Sequence, residues 1–166
     1  MKYWLMMILL AGTAVYGQET KTTLTVEGRI KNPKVFSLEE LKRYPAVQLD
    51  SLQIYNHLMV PHGIARHIKG VPLKELLKDI VFDAETPKVL SEYYIVCVAA
   101  DNYKVVFSWN ELFNSPGGDK VLVATEKDGV SAVATKDGLV LVTQGDRATG
   151  RRFVKELNKI IIQRVN

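Results

Sequence analysis

The sequence predicts an α+β domain that is mostly β, with short helices inserted between strands. Two observations carry this. Apolar or alternating runs of strand length recur from Thr22 to Val165. Helical signals are confined to brief stretches opened by capping residues, and they do not alternate with strands as a doubly wound parallel sheet would require.

Taken in order, Thr22 to Ile30 alternates apolar and polar residues and carries Gly28, which predicts a strand with a kink or bulge. Ser37-Leu38-Glu39-Glu40 is a capping box that opens a short helix ending before Pro45. Val47 to Tyr55 reads as a strand. Gly70 to Leu77 reads as a helix with Pro72 in its first turn and Leu73, Leu76 and Leu77 facing inward. Tyr93–Ala100 and Tyr103–Ser108 form a hairpin around Asp101-Asn102, read as a two-residue loop. Ser108 to Glu111 repeats the capping signature, with Trp109 and Phe113 on the inner face of the helical turn that follows. After the loop Pro116–Asp119 come strands at Lys120–Thr125 and Leu139–Thr143. A basic loop, a turn around Phe153–Leu157 and a last strand, Ile160–Val165, complete the chain.

The first residues read differently. Lys2 precedes a short apolar run, Tyr3 to Ala11, and small residues lead to a cut between Gly17 and Gln18. This is the form of a secretory signal, too short to span a bilayer. The expected organisation is therefore a signal peptide over 1–17 and one domain over 18–166, periplasmic or secreted, with no stable membrane insertion after cleavage. The remaining 149 residues carry a net charge of +3, and the 47% apolar content of the whole sequence is enough to build a core. No basic stripe with interleaved aromatics marks a nucleic-acid binder. The lone Cys97 excludes an intrachain disulfide. It lies in the apolar run Tyr93–Ala100 and is expected to be packed and inert.

Four segments together carry a resemblance. Val26-Glu27-Gly28-Arg29-Ile30 leads into Phe36-Ser37-Leu38-Glu39-Glu40-Leu41. Gly70-Val71-Pro72-Leu73 is followed by Leu76-Leu77, and Ala100-Asp101-Asn102-Tyr103 forms a turn. Gly145-Asp146-Arg147 precedes Gly150-Arg151-Arg152-Phe153-Val154. In this order they resemble the sulfite oxidase-like, molybdopterin-binding oxidoreductase domain. The resemblance implies curved, barrel-like sheets. It also implies a molybdenum–pterin cofactor bound through a cysteine thiolate on the strand after the first helix. That position falls near Ile54 or Tyr55, neither of which is a thiolate ligand. The signal also lacks a twin-arginine pair, the export route of members that leave already loaded with cofactor. The resemblance thus implies a retained fold with its redox chemistry lost and no molybdopterin bound.

The remaining chemistry lies in two segments. His57, His62 and His67 are each five apart. That spacing turns about 140° on a helix and alternates faces on a strand. Pro61 and Gly63 break regular structure, so only a folded-back loop would gather the three, and no carboxylate lies among them to complete a metal site. Arg66 lies in the same segment, and Arg147, Arg151 and Arg152 follow Gly145. Of these, Arg147 is the candidate anion contact, while Arg151, Arg152 and Lys155 read as a solvated face and Asp146 as a partner for Arg147. Asp101 and Tyr103 flank the hairpin turn. No serine sits at a nucleophile turn, and Gly117-Gly118 lacks the lysine of a phosphate loop. The expected ligand-binding residues are therefore His57, His62, Arg66, Tyr103 and Arg147, with a small anion or an envelope protein as the partner. The alternatives are an oxidoreductase that holds the pterin without a protein thiolate and a structural or accessory envelope protein.

Overall fold

A computed structural model describes residues 22–165. The signal-peptide reading, residues 1–17, lies outside them. The architecture is two five-stranded sheets with short helices between strands, in agreement with the α+β expectation.

The first sheet is built from β1 (Thr23–Gly28), β2 (Lys34–Ser37), β5 (Tyr93–Ala99), β6 (Lys104–Ser108) and β10 (Leu157–Arg164), in the order β2-β1-β10-β5-β6. Its centre is β10, the last strand among the described residues. β10 pairs parallel with β1 and antiparallel with β5. The second sheet holds β3 (Val47–Tyr55), β4 (Pro61–Pro72), β7 (Val121–Lys127), β8 (Val130–Ser131) and β9 (Val140–Thr143). Its path runs β3-β4-β7, and both β8 and β9 pair with β7. Neither sheet closes strand to strand as a barrel would, and in the second sheet the outer edges of β3 and β9 are met by the segment Thr149–Val154.

The main core fills the space between the sheets. Leu24, Val26, Ile95, Cys97, Phe107, Ile160 and Ile162 meet Val71, Val121, Val123 and Leu141, and the helices add Leu38, Leu41, Leu73, Leu76, Leu77 and Leu112. A smaller cluster lies on the other face of the second sheet, where Leu52, Ala65, Ile68, Leu122, Ala124, Val140 and Val142 pack with Ile54 and Phe153. Val121–Ala124 of β7 and Val140–Val142 of β9 are therefore buried on both faces, which accounts for these unbroken apolar stretches.

Helix α1 (Leu38–Leu41) has the full reciprocal cap: the Ser37 side chain accepts from Glu40 N, and Glu40 Oε2 accepts from Ser37 N at 2.7 Å. α2 (Leu73–Leu77) buries Leu73, Leu76 and Leu77, but Pro72 is its N-cap and not part of its first turn. The preceding Gly70–Pro72 belongs to β4. In α3 (Trp109–Phe113), Ser108 Oγ accepts from Glu111 N at 3.0 Å, and Trp109 and Phe113 stack with centroids 5.3 Å apart.

Three sequence expectations change. The His57–His67 segment is not a folded-back loop. It is a tight turn followed by a long strand, because Pro61 starts β4, where no ladder donor is needed. The β5–β6 connection is a three-residue loop, not a two-residue one. Ala99 N donates to Tyr103 O, and Asn102 N to Ala99 O, with Asn102 left-handed at φ 68°. Strands β2 and β8 are also present where no strand is expected.

Gly28 has φ +106°, and a Cβ there would stand 2.2 Å from the Ile162 carbonyl oxygen. The kink foreseen at this glycine is thus a close approach of β1 to the central strand. Gly28→Ala is expected to cost at least about 2 kcal/mol, through strain and displacement of β10. A urea unfolding curve with a lowered midpoint checks this.

Candidate functional site

The site lies where one turn closes a gap between strand edges. β3 and β9 are edges of the second sheet, and the segment Thr149–Val154 runs between them. The buried Thr149 hydroxyl donates to Gln53 O at 2.7 Å and accepts from Tyr55 N at 2.9 Å, satisfying the outer edge of β3. Val154 exchanges backbone hydrogen bonds with Leu141 of β9 at 3.0 and 2.8 Å. Gly150 is required because a Cβ would stand 2.7 Å from Tyr55 O and 3.3 Å from the Ile54 side chain. The turn's 3₁₀ backbone therefore sits directly on the end of β3.

Two more contacts fix this turn. The Tyr103 hydroxyl donates to Arg151 O at 2.5 Å, which ties the β5–β6 hairpin to it. Arg152 Nε donates to Asp146 Oδ2 at 2.7 Å and Nη1 to Glu111 Oε1 at 2.6 Å, while Nη2 donates to Asp146 Oδ1. The Arg152 guanidinium also lies 4.4 Å from the Phe107 ring centroid. Burial pushes the Asp146 carboxyl up. The Arg152 hydrogen bonds and charge, with the Thr143 hydroxyl, outweigh this and hold it below the usual aspartate range. Arg152 is thus a half-buried clamp and not part of a solvated face, and Asp146 holds Arg152, not Arg147. Glu111 spends its carboxylate on Arg152, so α3 keeps only half of its capping box.

Beside this turn is a cleft of about 400 Å³ lined by Ile54, Asn56, His57, His62, Tyr103, Gly150, Arg151 and Phe153. His57 lies in the turn between β3 and β4, stapled by Asn56, whose Oδ1 accepts from Leu58 N at 2.9 Å and Val60 N at 3.0 Å. His62 arrives by a bulge. Ile54 pairs with Gly63 and Tyr55 with Pro61, leaving His62 as the extra residue of β4. A bulge re-aims the side chain it carries, so the five-residue spacing that misfits a regular strand here places both histidines on one cleft. No carboxylate lines the cleft, and among the described residues no salt bridge or hydrogen bond engages the Arg151 guanidinium.

Of the expected site residues, His57, His62 and Tyr103 share this cleft, whereas Arg66 and Arg147 are not among its lining. Arg66 sits opposite Ser51, its N–H donating to Asp128 Oδ1 at 2.8 Å. Arg147 is an exposed loop residue beyond β9. His67 borders a separate cavity with Asp50, Lys69 and Glu126. Arg151, read from the sequence as part of a solvated face, is exposed and also lines the cleft, a setting that depends on the Thr149, Tyr103 and Arg152 contacts and leaves no local pattern. The glycine before the paired arginines was the available signal.

The donor set does not fit a thiolate-held metal. Ile54, at the position where the family resemblance implies the ligand, offers the cleft only an aliphatic side chain. Cys97 is fully buried on β5, and burial pushes its thiol up to about 12, against a smaller opposing effect of Arg152. Among the described residues no group of three His, Cys, Asp or Glu side chains is placed to hold a metal ion, and no helix is long and apolar enough to cross a membrane.

Fold and site thus define a two-sheet α+β protein with a cationic cleft at a strand-edge seam. No protein-family model matches the sequence, and no curated protein matches it. Among solved structures, the chain is similar to the sulfane dehydrogenase SoxCD from Paracoccus pantotrophus, with a TM-score of 0.62 and 18% identity over 90% of this chain. It spans 40% of the length of that chain. This likeness shows the fold.

Arg152→Met is expected to destabilise the fold by about 2 kcal/mol, a value below that of a fully buried pair because the clamp is partly exposed. The depressed Asp146 pKa sets the sign of the pH effect. Its contribution is complete above the ordinary aspartate range and is lost as pH falls from there through the lower folded value. Asp146→Asn should flatten that part of a stability–pH profile. Cys97 should resist alkylation in the folded chain and react once urea unfolds it, which mass spectrometry reads directly.

Proposed function

We propose that this chain is a non-catalytic, extracytoplasmic protein of sulfite oxidase-like fold whose cleft binds a small anion. One observation carries the reading: the Arg151 backbone is fixed by the Tyr103 hydroxyl in a turn whose neighbouring polar groups are already engaged, so its exposed guanidinium stands in the lining of the cleft beside two histidines and no carboxylate. A cation placed at a cleft without a partner favours a ligand that brings the missing charge, and a guanidinium recognises phosphate, sulfate or carboxylate through paired N–H donors. The apolar floor of Ile54 and Phe153 keeps water away from one side and strengthens that pairing.

The structural likeness to a sulfane dehydrogenase, of the sulfite oxidase family, supports the fold part of this reading. The absence of a cleft thiol supports the loss of molybdenum chemistry, since the single thiol of the chain is in the core. The N-terminal apolar run supports the extracytoplasmic placement.

A thermal-shift series with phosphate, sulfate and acetate tests the anion reading. At ten times its Kd, the bound anion should raise the unfolding midpoint by roughly 3 °C. Arg151→Gln should abolish the shift, and Arg147→Ala, outside the cleft lining, should keep it. Stoichiometric molybdenum in protein purified from its native host would overturn the non-catalytic reading in favour of an oxidoreductase without a protein thiolate.

A further inference from the structure

The β3–β4 turn carries an exposed apolar tip directly beside the cleft. Leu58 is 68% exposed, Met59 49% and Val60 51%, and Ile64 on β4 is 47% exposed. They are not loosely strung. Asn56 accepts from Leu58 and Val60 through its side chain and from Met59 through its carbonyl, and Met59 is held left-handed at φ 61°. A turn so firmly built, with three consecutive aliphatic side chains turned to water, has no explanation in the core. The cleft beside it is one-sided in charge. His57, His62 and Arg151 line it with no carboxylate, whereas cations farther along are balanced: Lys69 pairs with Glu126, Lys74 with Asp119, and Asp128 accepts from Arg66 N.

We propose that this tip docks on an anionic lipid surface, with Leu58, Met59 and Val60 entering the headgroup boundary and Arg151, His57 and His62 facing the lipid phosphates. Two features favour a bilayer over a protein. Leu58, Met59 and Val60 stand together on one turn, exposed and outside the lining of the cleft, which suits entry into a soft apolar medium. The carboxylate-free cleft beside them, with Arg151 in its lining, complements a negatively charged surface. This goes beyond the soluble-anion reading and stands on a separate observation, the apolar tip, so each can fail without the other.

The test uses the full chain carrying Leu58→Cys labelled with an environment-sensitive fluorophore. Because Cys97 is wholly buried, the label goes to the tip alone. Its signal is also independent of any contact made by the apolar run at residues 3–11. On phosphatidylglycerol vesicles the emission should shift to the blue and be quenched by a shallow lipid-borne quencher, whereas phosphatidylcholine vesicles should leave it unchanged. Arg151→Gln should weaken the apparent vesicle affinity about fivefold. In unlabelled protein, the combined substitutions Met59→Asn and Val60→Ser, exposed and compatible with the turn, should reduce anionic vesicle binding about tenfold and leave the phosphate thermal shift intact. A label that stays in water on phosphatidylglycerol overturns the proposal, and so does vesicle binding indifferent to the tip substitutions. If the tip label ignores vesicles but cross-links to an acidic protein of the native envelope, the lipid assignment is wrong and a protein partner takes its place.

Discussion

The seam between β3 and β9 is the constraint on which the cleft depends. Strand edges expose N–H and C=O groups that must find partners, and here a single segment serves both edges. Thr149 satisfies β3 with its hydroxyl, and Val154 satisfies β9 with its backbone. Between them, Arg152 reaches Glu111 and Phe107, which belong to the helix and strand of the first sheet. The same six residues therefore close one sheet, join it to the other and present Arg151. Contacts linked this closely act as a unit, so removing one weakens the others by more than its own share.

This arrangement separates fold from chemistry. The likeness to a sulfane dehydrogenase shows a shared fold, and fold alone assigns no reaction. What a site can do follows from the groups it offers, and this one offers a guanidinium, two imidazoles, a committed tyrosine hydroxyl and an aliphatic floor. The thiol is in the core between the sheets, where desolvation keeps it protonated. Such a set suits recognition of charge better than transfer of electrons.

Much of the fold was legible because its signals are local. The capping box at Ser37, the leucine stripe of α2, the kink at Gly28 and the apolar strands β5, β7 and β9 each follow from residues within a turn or two of one another. Strand β4 was missed because Pro61 and Gly63 read as breakers, whereas Pro61 only begins the strand and Gly63 accompanies its bulge. The cleft was half legible. His57, His62 and Tyr103 stood out by residue type, but their meeting depends on a bulge and on a turn that arrives from nearly a hundred residues away in the chain. The distinction among Arg147, Arg151 and Arg152 is tertiary. Only the fold shows which guanidinium is consumed by Asp146 and which is left over.

The placement of β10 has a consequence for how the protein comes into being. Its residues 157–164 lie in the middle of the first sheet, against β1 from the other end of the described chain. As the chain leaves the ribosome, β1 and β2 can form a hairpin and β5 can pair with β6, but nothing joins the two pairs until the last strand appears. Contacts this distant in sequence make folding slow, because the entropy of closing the long loop must be overcome before the contacts reward it. The first sheet therefore lacks its central strand until residues 157–164 have been made. That delay is useful to any polypeptide that must be threaded through a narrow channel before it folds.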